Sequence, residues 1–281
     1  MVNLRESRIM DAPADLPARR LRLSTLLATW RPVLLSIASL IVAFCIWQFL
    51  STVLFNPFLI PPPLKVFRTA IPMLASGEIL TDVAISMSRV MVGFVTGSLA
   101  GIVMGVLLGR IRLLHDLLDP IIELLRYLSP TAMIPIAVIW FGIGELSKYF
   151  LIFWGTFFIV LINTTAGVWR TPIARQRAAE CLGANHLQIF TLVVVPSTVP
   201  YIVTGMRVAM ASSFMSIIPA EILAADSGIG YLLQKSSMLL QTDRIFVALL
   251  TICVLGFVVD RIFRLLVDRV LARYMSVVSQ T

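Results

Sequence analysis

RTPIARQRAAECLGANHLQIFTLVVVPSTVP, residues Arg170 to Pro200, is the largest basic, charged insert between two long apolar segments of this chain. Thr171 followed by Pro172 reads as an N-cap with proline at the first helical position, and Gly183 reads as a helix stop. The spacing predicts a short helix and a turn. Asn185 is placed to cap a second helix that runs back toward the apolar phase, interrupted by Pro196 and Pro200. A polar fold of this kind between oily segments implies contact with another molecule.

What surrounds the insert sets the fold class. The 281 residues are 58% hydrophobic and only 14% charged, with a mean hydropathy of +0.93. That is more apolar surface than one soluble core uses, so an all-α membrane protein in contact with lipid is expected. A net charge of +8 in a soluble protein would point to nucleic acid. Here the arginines flank apolar segments in short loops and tails, which is how a chain is oriented in a bilayer, and no nucleic-acid partner is expected. Cys45, Cys181 and Cys253 are too widely spaced for a metal or redox motif and read as free thiols. His115 and His186 stand alone, which argues against a metal site or a histidine-based active site.

A hydrocarbon core about 30 Å thick needs about 20 mostly apolar residues per helix. That window finds about six spans, near residues 33–55, 85–108, 121–143, 146–168, 199–225 and 245–267. Residues 1–31 form a polar, arginine-rich tail, and 32–281 form one transmembrane domain. With this topology, 15 Lys and Arg lie on the side of the two termini and the insert, against five on the other, so both termini and the insert are expected in the cytoplasm.

The second span carries Gly93, Gly97, Gly101, Gly105 and Gly109, one every fourth residue, a ridge that lets another helix backbone approach closely. The third contains Pro130 and Pro135, so it should be kinked or broken and is the candidate for lining a pathway. Ionisable groups in spans are functional candidates because each costs at least about 2–3 kcal/mol at mid-bilayer. Glu123 and Arg126 are spaced to pair locally, and Arg89 follows Asp82 by two turns, which suggests structure or snorkelling. Arg207 lies deeper. It either attracts an anion in the path or pairs with Glu221 or Asp260, and Arg207 and Glu221 join the prolines as pathway candidates.

Ala178 to Pro196, AAECLGANHLQIFTLVVVP, resembles the cytoplasmic coupling motif of bacterial ATP-binding cassette import permeases: Glu-Ala-Ala, three residues, Gly, nine residues, Ile-x-Leu-Pro. Ala178, Ala179, Gly183, Val193, Val195 and Pro196 fall at matching positions, whereas the leading glutamate is Arg177 and an acid appears at Glu180. FLIPPP (58–63), SMSRVMVGF (86–94), LDPIIELLRYLSP (118–130), IWFGIGE (139–145), PYIVTGMR (200–207) and AEILAADSGIGYLL (220–233) look like the permeases for nitrate, sulfonate, taurine and bicarbonate.

The resemblance implies a type I ABC importer permease fold in a bacterial inner membrane, with two permease copies (a homodimer), two cytoplasmic ATPase subunits and an extracytoplasmic solute-binding protein. It implies that Arg177, Ala178, Ala179, Glu180, Gly183, Ala184 and Pro196, within a coupling segment spanning 170–196, meet the ATPase. The chain itself is then a non-catalytic subunit carrying a small solute, a sulfonate or nitrate being the family-weighted choice, by alternating access. It has no GxxxxGK[ST] loop, so ATP and Mg belong to the partner and this chain holds no cofactor. An ion-coupled secondary transporter is the competing reading, but it leaves the insert unexplained. An intramembrane enzyme would need a catalytic constellation within the spans, and both histidines lie outside them.

Overall fold

The computed structural model describes residue 35 and residues 38–270. The expected N-terminal tail, the start of the first span and Arg273 lie outside the described residues. By compactness the chain divides into residues 1–63 and 64–281. The first unit contributes an apolar helix, α1 (Ala38–Leu54), whose last turn, Leu50–Leu54, is a π turn.

Among the described residues from 63 onward every element is helical: α2 (Pro63–Ala75), α3 (Glu78–Arg110), α4 (Arg112–Leu125), α5 (Ile134–Phe141), α6 (Glu145–Trp169), α7 (Ile173–Cys181), α8 (His186–Ile189), α9 (Val195–Ala224), α10 (Ile229–Met238) and α11 (Thr242–Val270). Among the described residues four helices are long and apolar enough to cross a membrane: Glu78–Arg110, Glu145–Trp169, His186–Ile222 and Thr242–Val267. The third of these joins α8 to α9 through a π turn at Phe190–Val194. The turn precedes Pro196, whose ring would collide with the carbonyl four residues back in a regular α-helix.

The helix expected over 121–143 is two helices. α4 ends at Leu125 and α5 begins at Ile134. Pro130 lacks an N–H and drives Ser129 out of helical conformation, whereas Pro135, in the first turn of α5, removes an N–H that no helix would have used. Short turns bridge the gap, with the Met133 N–H reaching the Ser129 and Pro130 carbonyls at 3.3 and 3.2 Å. The Trp154 indole donates to the Leu128 carbonyl at 3.0 Å.

The core sits where α3, α6 and α9 meet: Val90 and Phe94, Ile152 and Val160, Ala209, Met210, Phe214 and Ile217 are all buried. From α11, Phe263 meets Phe94 edge-on at 6.1 Å. The glycine ridge of α3 lies along α6 in step. A Cβ on Gly93 would stand 2.5 Å from Ile152 Cβ, on Gly97 2.9 Å from Thr156 Cβ, on Gly101 2.8 Å from the Phe157 carbonyl, and on Gly105 2.6 Å from Thr164 Cβ. Numbering rises together on both helices, so they run parallel. Hydrogen bonds cross the seam from Thr165 Oγ1 to the Gly105 carbonyl at 3.2 Å and from Trp169 Nε1 to the Gly109 carbonyl at 3.2 Å. With little hydrophobic drive between helices in lipid, such close approach supplies van der Waals contact.

Candidate functional site

Two constructions stand at opposite ends of the bundle. The first is the hairpin Ile173–Ile189. α7 starts one residue later than its sequence suggests, with Pro172 as N-cap in an extended conformation, and Thr171 is buried beside it. The helix ends on Gly183 at φ +81°. The Gly183 N–H reaches the Glu180 carbonyl at 2.9 Å and the Ala184 N–H reaches the Ala179 carbonyl at 3.0 Å. This pair is a Schellman motif, which needs a left-handed residue where only glycine is free of Cβ strain. The chain then enters α8 through a capping box. Asn185 Oδ1 accepts the Gln188 N–H at 2.8 Å and Gln188 Oε1 accepts the Asn185 N–H at 2.9 Å.

The turn between α7 and α8 is thus held on both sides, by backbone hydrogen bonds before it and a side-chain capping box after it, while most side chains around it remain outward. Leu182 is 89% exposed, and Ile173 and Leu187 are also exposed, as are Arg177, Ala178, Glu180 and Gly183; Ala179, Ala184 and Pro196 are half-buried. The helix termini behind the hairpin are braced by cations over rings, Arg110 over Phe190 at 4.4 Å and Arg170 over Tyr201 at 5.8 Å.

At the other end most of the polar side chains are buried, Glu145 being about half exposed. Arg89 on α3 is 2% exposed and Glu221 on α9 is fully buried. Arg89 Nη1 donates to Glu221 Oε1 at 2.8 Å and to the Ser227 carbonyl at 2.7 Å. Its Nε and Nη2 grip both oxygens of Glu145 at 2.7 Å, a two-point geometry that carboxylates and guanidinium share. Lys148, also buried, donates to Glu145 Oε1 at 2.8 Å. The buried Arg89 guanidinium thus faces the buried Glu221 carboxylate, as burial requires, and shares the half-exposed Glu145 with Lys148.

This cluster also caps α10. The Gly228 N–H donates to Asp82 Oδ1 at 2.9 Å, the Ile229 N–H to Ser86 Oγ at 2.9 Å and the Gly230 N–H to Glu221 Oε2 at 2.8 Å. Ser86 in turn donates to both Glu221 oxygens at 2.8 and 2.9 Å. Three successive backbone donors at a helix start are satisfied by side chains of α3 and α9 rather than by a local cap. A side chain on Gly230 would run into Glu221 Cβ at 2.7 Å and the Ile218 carbonyl at 2.9 Å.

The remaining sequence candidates are dispersed. Glu221 is held in this cluster, whereas Arg207 pairs with Asp260 at 3.5 Å. Pro130 is half-buried and Pro135 exposed, at the α4–α5 break. Glu123 and Arg126 meet at 3.3 Å on the surface. Sequence reasoning gave Arg89 a snorkelling or local role and missed its partners, which lie 56 and 132 residues away. The only signal was three charges, Arg89, Glu145 and Glu221, in or beside apolar segments, each of which demands a partner.

A model of the family described as "binding-protein-dependent transport system inner membrane component" matches residues 97–272. A protein named as an ABC transporter permease from Methanocaldococcus jannaschii is 35% identical, over 85% of this chain and 91% of that protein. The taurine transport system permease protein TauC of Escherichia coli is 34% identical, over 82% of this chain and 86% of its own. The nitrate import permease protein NrtB of Synechocystis is 34% identical, over 63% of this chain and 64% of its own length.

Proposed function

The chain belongs to the family of binding-protein-dependent transport inner-membrane components, and on that premise we propose that it works as a homodimeric ABC importer permease driven through the Ile173–Ile189 hairpin. The single observation that carries this reading is a hairpin whose turn is fixed on both sides, by a Schellman pair and a capping box, yet presents Leu182 at 89% exposure. An apolar tip held this rigidly is suited to a pocket on another protein. That protein is a separate ATPase, two copies per complex, which binds ATP and Mg. Arg177, Ala178, Ala179, Glu180, Gly183, Ala184 and Pro196 form or support the contact.

The excess of Lys and Arg supports a reading in which the hairpin and both termini lie on the cytoplasmic side of a bacterial inner membrane. The opposite end, where α10 is pinned to α3 and α9, receives an extracytoplasmic binding protein. The broken α4–α5 segment with Pro130 and Pro135 and the Arg207 face of α9 line the path. The solute is a small oxyanion of the sulfonate or nitrate kind, in keeping with the names of the relatives.

Leu182→Asp and Gly183→Leu test the coupling. Both should insert in the membrane at wild-type levels, while ATP-driven uptake falls at least about tenfold and co-purification of the ATPase weakens. Undiminished uptake in both variants would overturn the proposal, as would uptake by this chain alone on an ion gradient in proteoliposomes.

A further inference from the structure

Arg207 belongs to a second charged cluster, distinct from the one around Arg89. Asp260 on α11 receives Arg264 Nη2 at 2.7 Å on one oxygen and Arg207 Nε at 3.5 Å on the other. One carboxylate is shared by two guanidiniums, so the cluster carries one uncompensated positive charge. Arg264 Nε is buried without a hydrogen-bond partner, and Arg207 keeps 46% of its side chain exposed.

The charge lies at the hairpin-side margin of the apolar slab. Arg207 is 14 residues along α9 from Glu221, about 21 Å at 1.5 Å per residue, whereas α3 runs about 31 Å from Arg89 to Arg110. The surplus charge therefore sits toward the hairpin end but short of it. It also faces outward: Thr204, Arg207, Val208, Ala211 and Met215 are the exposed residues of α9 between 201 and 220, spaced to form one stripe. A net cation in a spanning segment is stable against water or an anion and costly against lipid.

We infer that the Arg207–Asp260–Arg264 cluster is an anion-binding step on a water-filled path, selecting for a small oxyanion in the last part of its passage. The inference deepens the proposed anion transport by naming the residues that sense the charge. Arg207 is the group that meets the anion, and Asp260 holds Arg207 and Arg264 at a spacing where their donors converge without being neutralised. The same positive field disfavours cations.

A charge-sensing assay tests this without knowledge of the solute. Ala211, one turn from Arg207 on the exposed stripe, is replaced by cysteine in the full-length chain with Cys45, Cys181 and Cys253 changed to serine. Membrane vesicles are treated with a methanethiosulfonate bearing either a sulfonate or a quaternary ammonium. The anionic reagent should react faster, and Arg207→Gln should lower the ratio of anionic to cationic rates by about fivefold, the effect of removing one charge a helical turn away in water. Arg207→Lys should restore it and Asp260→Asn should raise it. No labelling by either reagent means the stripe is dry, and an unchanged ratio in Arg207→Gln means the charge is not felt. Either result overturns the inference. Cation-specific uptake by the wild-type complex would sink the solute class and with it the anion-selecting role, whereas an unchanged ratio alongside sulfonate uptake would sink this inference alone.

Discussion

Replacing Glu221 by alanine removes the carboxylate to which α3 and the start of α10 are tied. Arg89, 2% exposed, would keep Glu145 and the Ser227 carbonyl but lose its buried counter-charge. The Gly230 N–H would lose its acceptor at 2.8 Å, and the Ser86 hydroxyl would lose both of its own at 2.8 and 2.9 Å. Breaking a buried pair by deleting one partner costs about 3–5 kcal/mol, because a charge is left uncompensated. At about 2–4 °C per kcal/mol for a chain of this size, the melting temperature should fall by about 6–20 °C. Glu221→Gln keeps the shape and an acceptor but not the charge, and should lose about 1.5–3 kcal/mol. Thermal unfolding of the purified chain in one detergent, followed by circular dichroism, reads the order wild type, Gln, Ala. If Glu221→Ala melts within 2 °C of wild type, on the scale of one kcal/mol or less, the cluster does not hold the three helices together.

Gly105→Leu puts a side chain where even a Cβ would be 2.7 Å from the Leu161 carbonyl, so α3 and α6 must separate. A loss of about 1–3 kcal/mol or more should appear as a low yield of folded protein by size-exclusion chromatography. Asn185→Ala removes the capping box and about 1 kcal/mol from the α8 start; coupled ATP hydrolysis should weaken with rising temperature while membrane insertion is unchanged. Gly183→Ala must adopt φ +81° at a cost of about 1 kcal/mol. It should therefore reduce coupling less than Gly183→Leu, a ranking that uptake rates read directly.

The features legible in the sequence are those written at short range. The Gly93–Gly109 spacing marks a packing ridge, although which helix fills it depends on where α6 lies. The Gly183 stop and the Asn185 cap are local hydrogen-bond chemistry, and the hairpin between them forms as those residues demand. The start of α7 differs by one residue because Thr171 is buried and Pro172 takes the cap position. The cluster around Arg89 was not legible. Asp82, Ser86, Arg89, Glu145, Glu221 and Gly228–Gly230 come from four separate stretches, and their ordinary neighbours, such as Asp82 for Arg89, offered a nearer pairing. Likewise Arg207 had two candidate acids in sequence, and packing of α9 against α11 assigned it to Asp260 while Arg89 took Glu221.

The gap between Leu125 and Ile134 bears on how quickly this chain can change shape. Bending an intact helix in lipid means breaking ladder hydrogen bonds with no water to replace them, at several kcal/mol for each orphaned group. Here that rupture is already present in the resting fold, because Pro130 and Ser129 ended the ladder during folding. A swing of α4 about residues 126–133 would leave both helical ladders whole, at the cost of the His115–Trp169 ring contact at 4.4 Å and the Trp154 to Leu128 bond. The joint therefore needs no ladder bond broken to move, so a swing of α4 belongs with collective helix motions rather than with local unfolding.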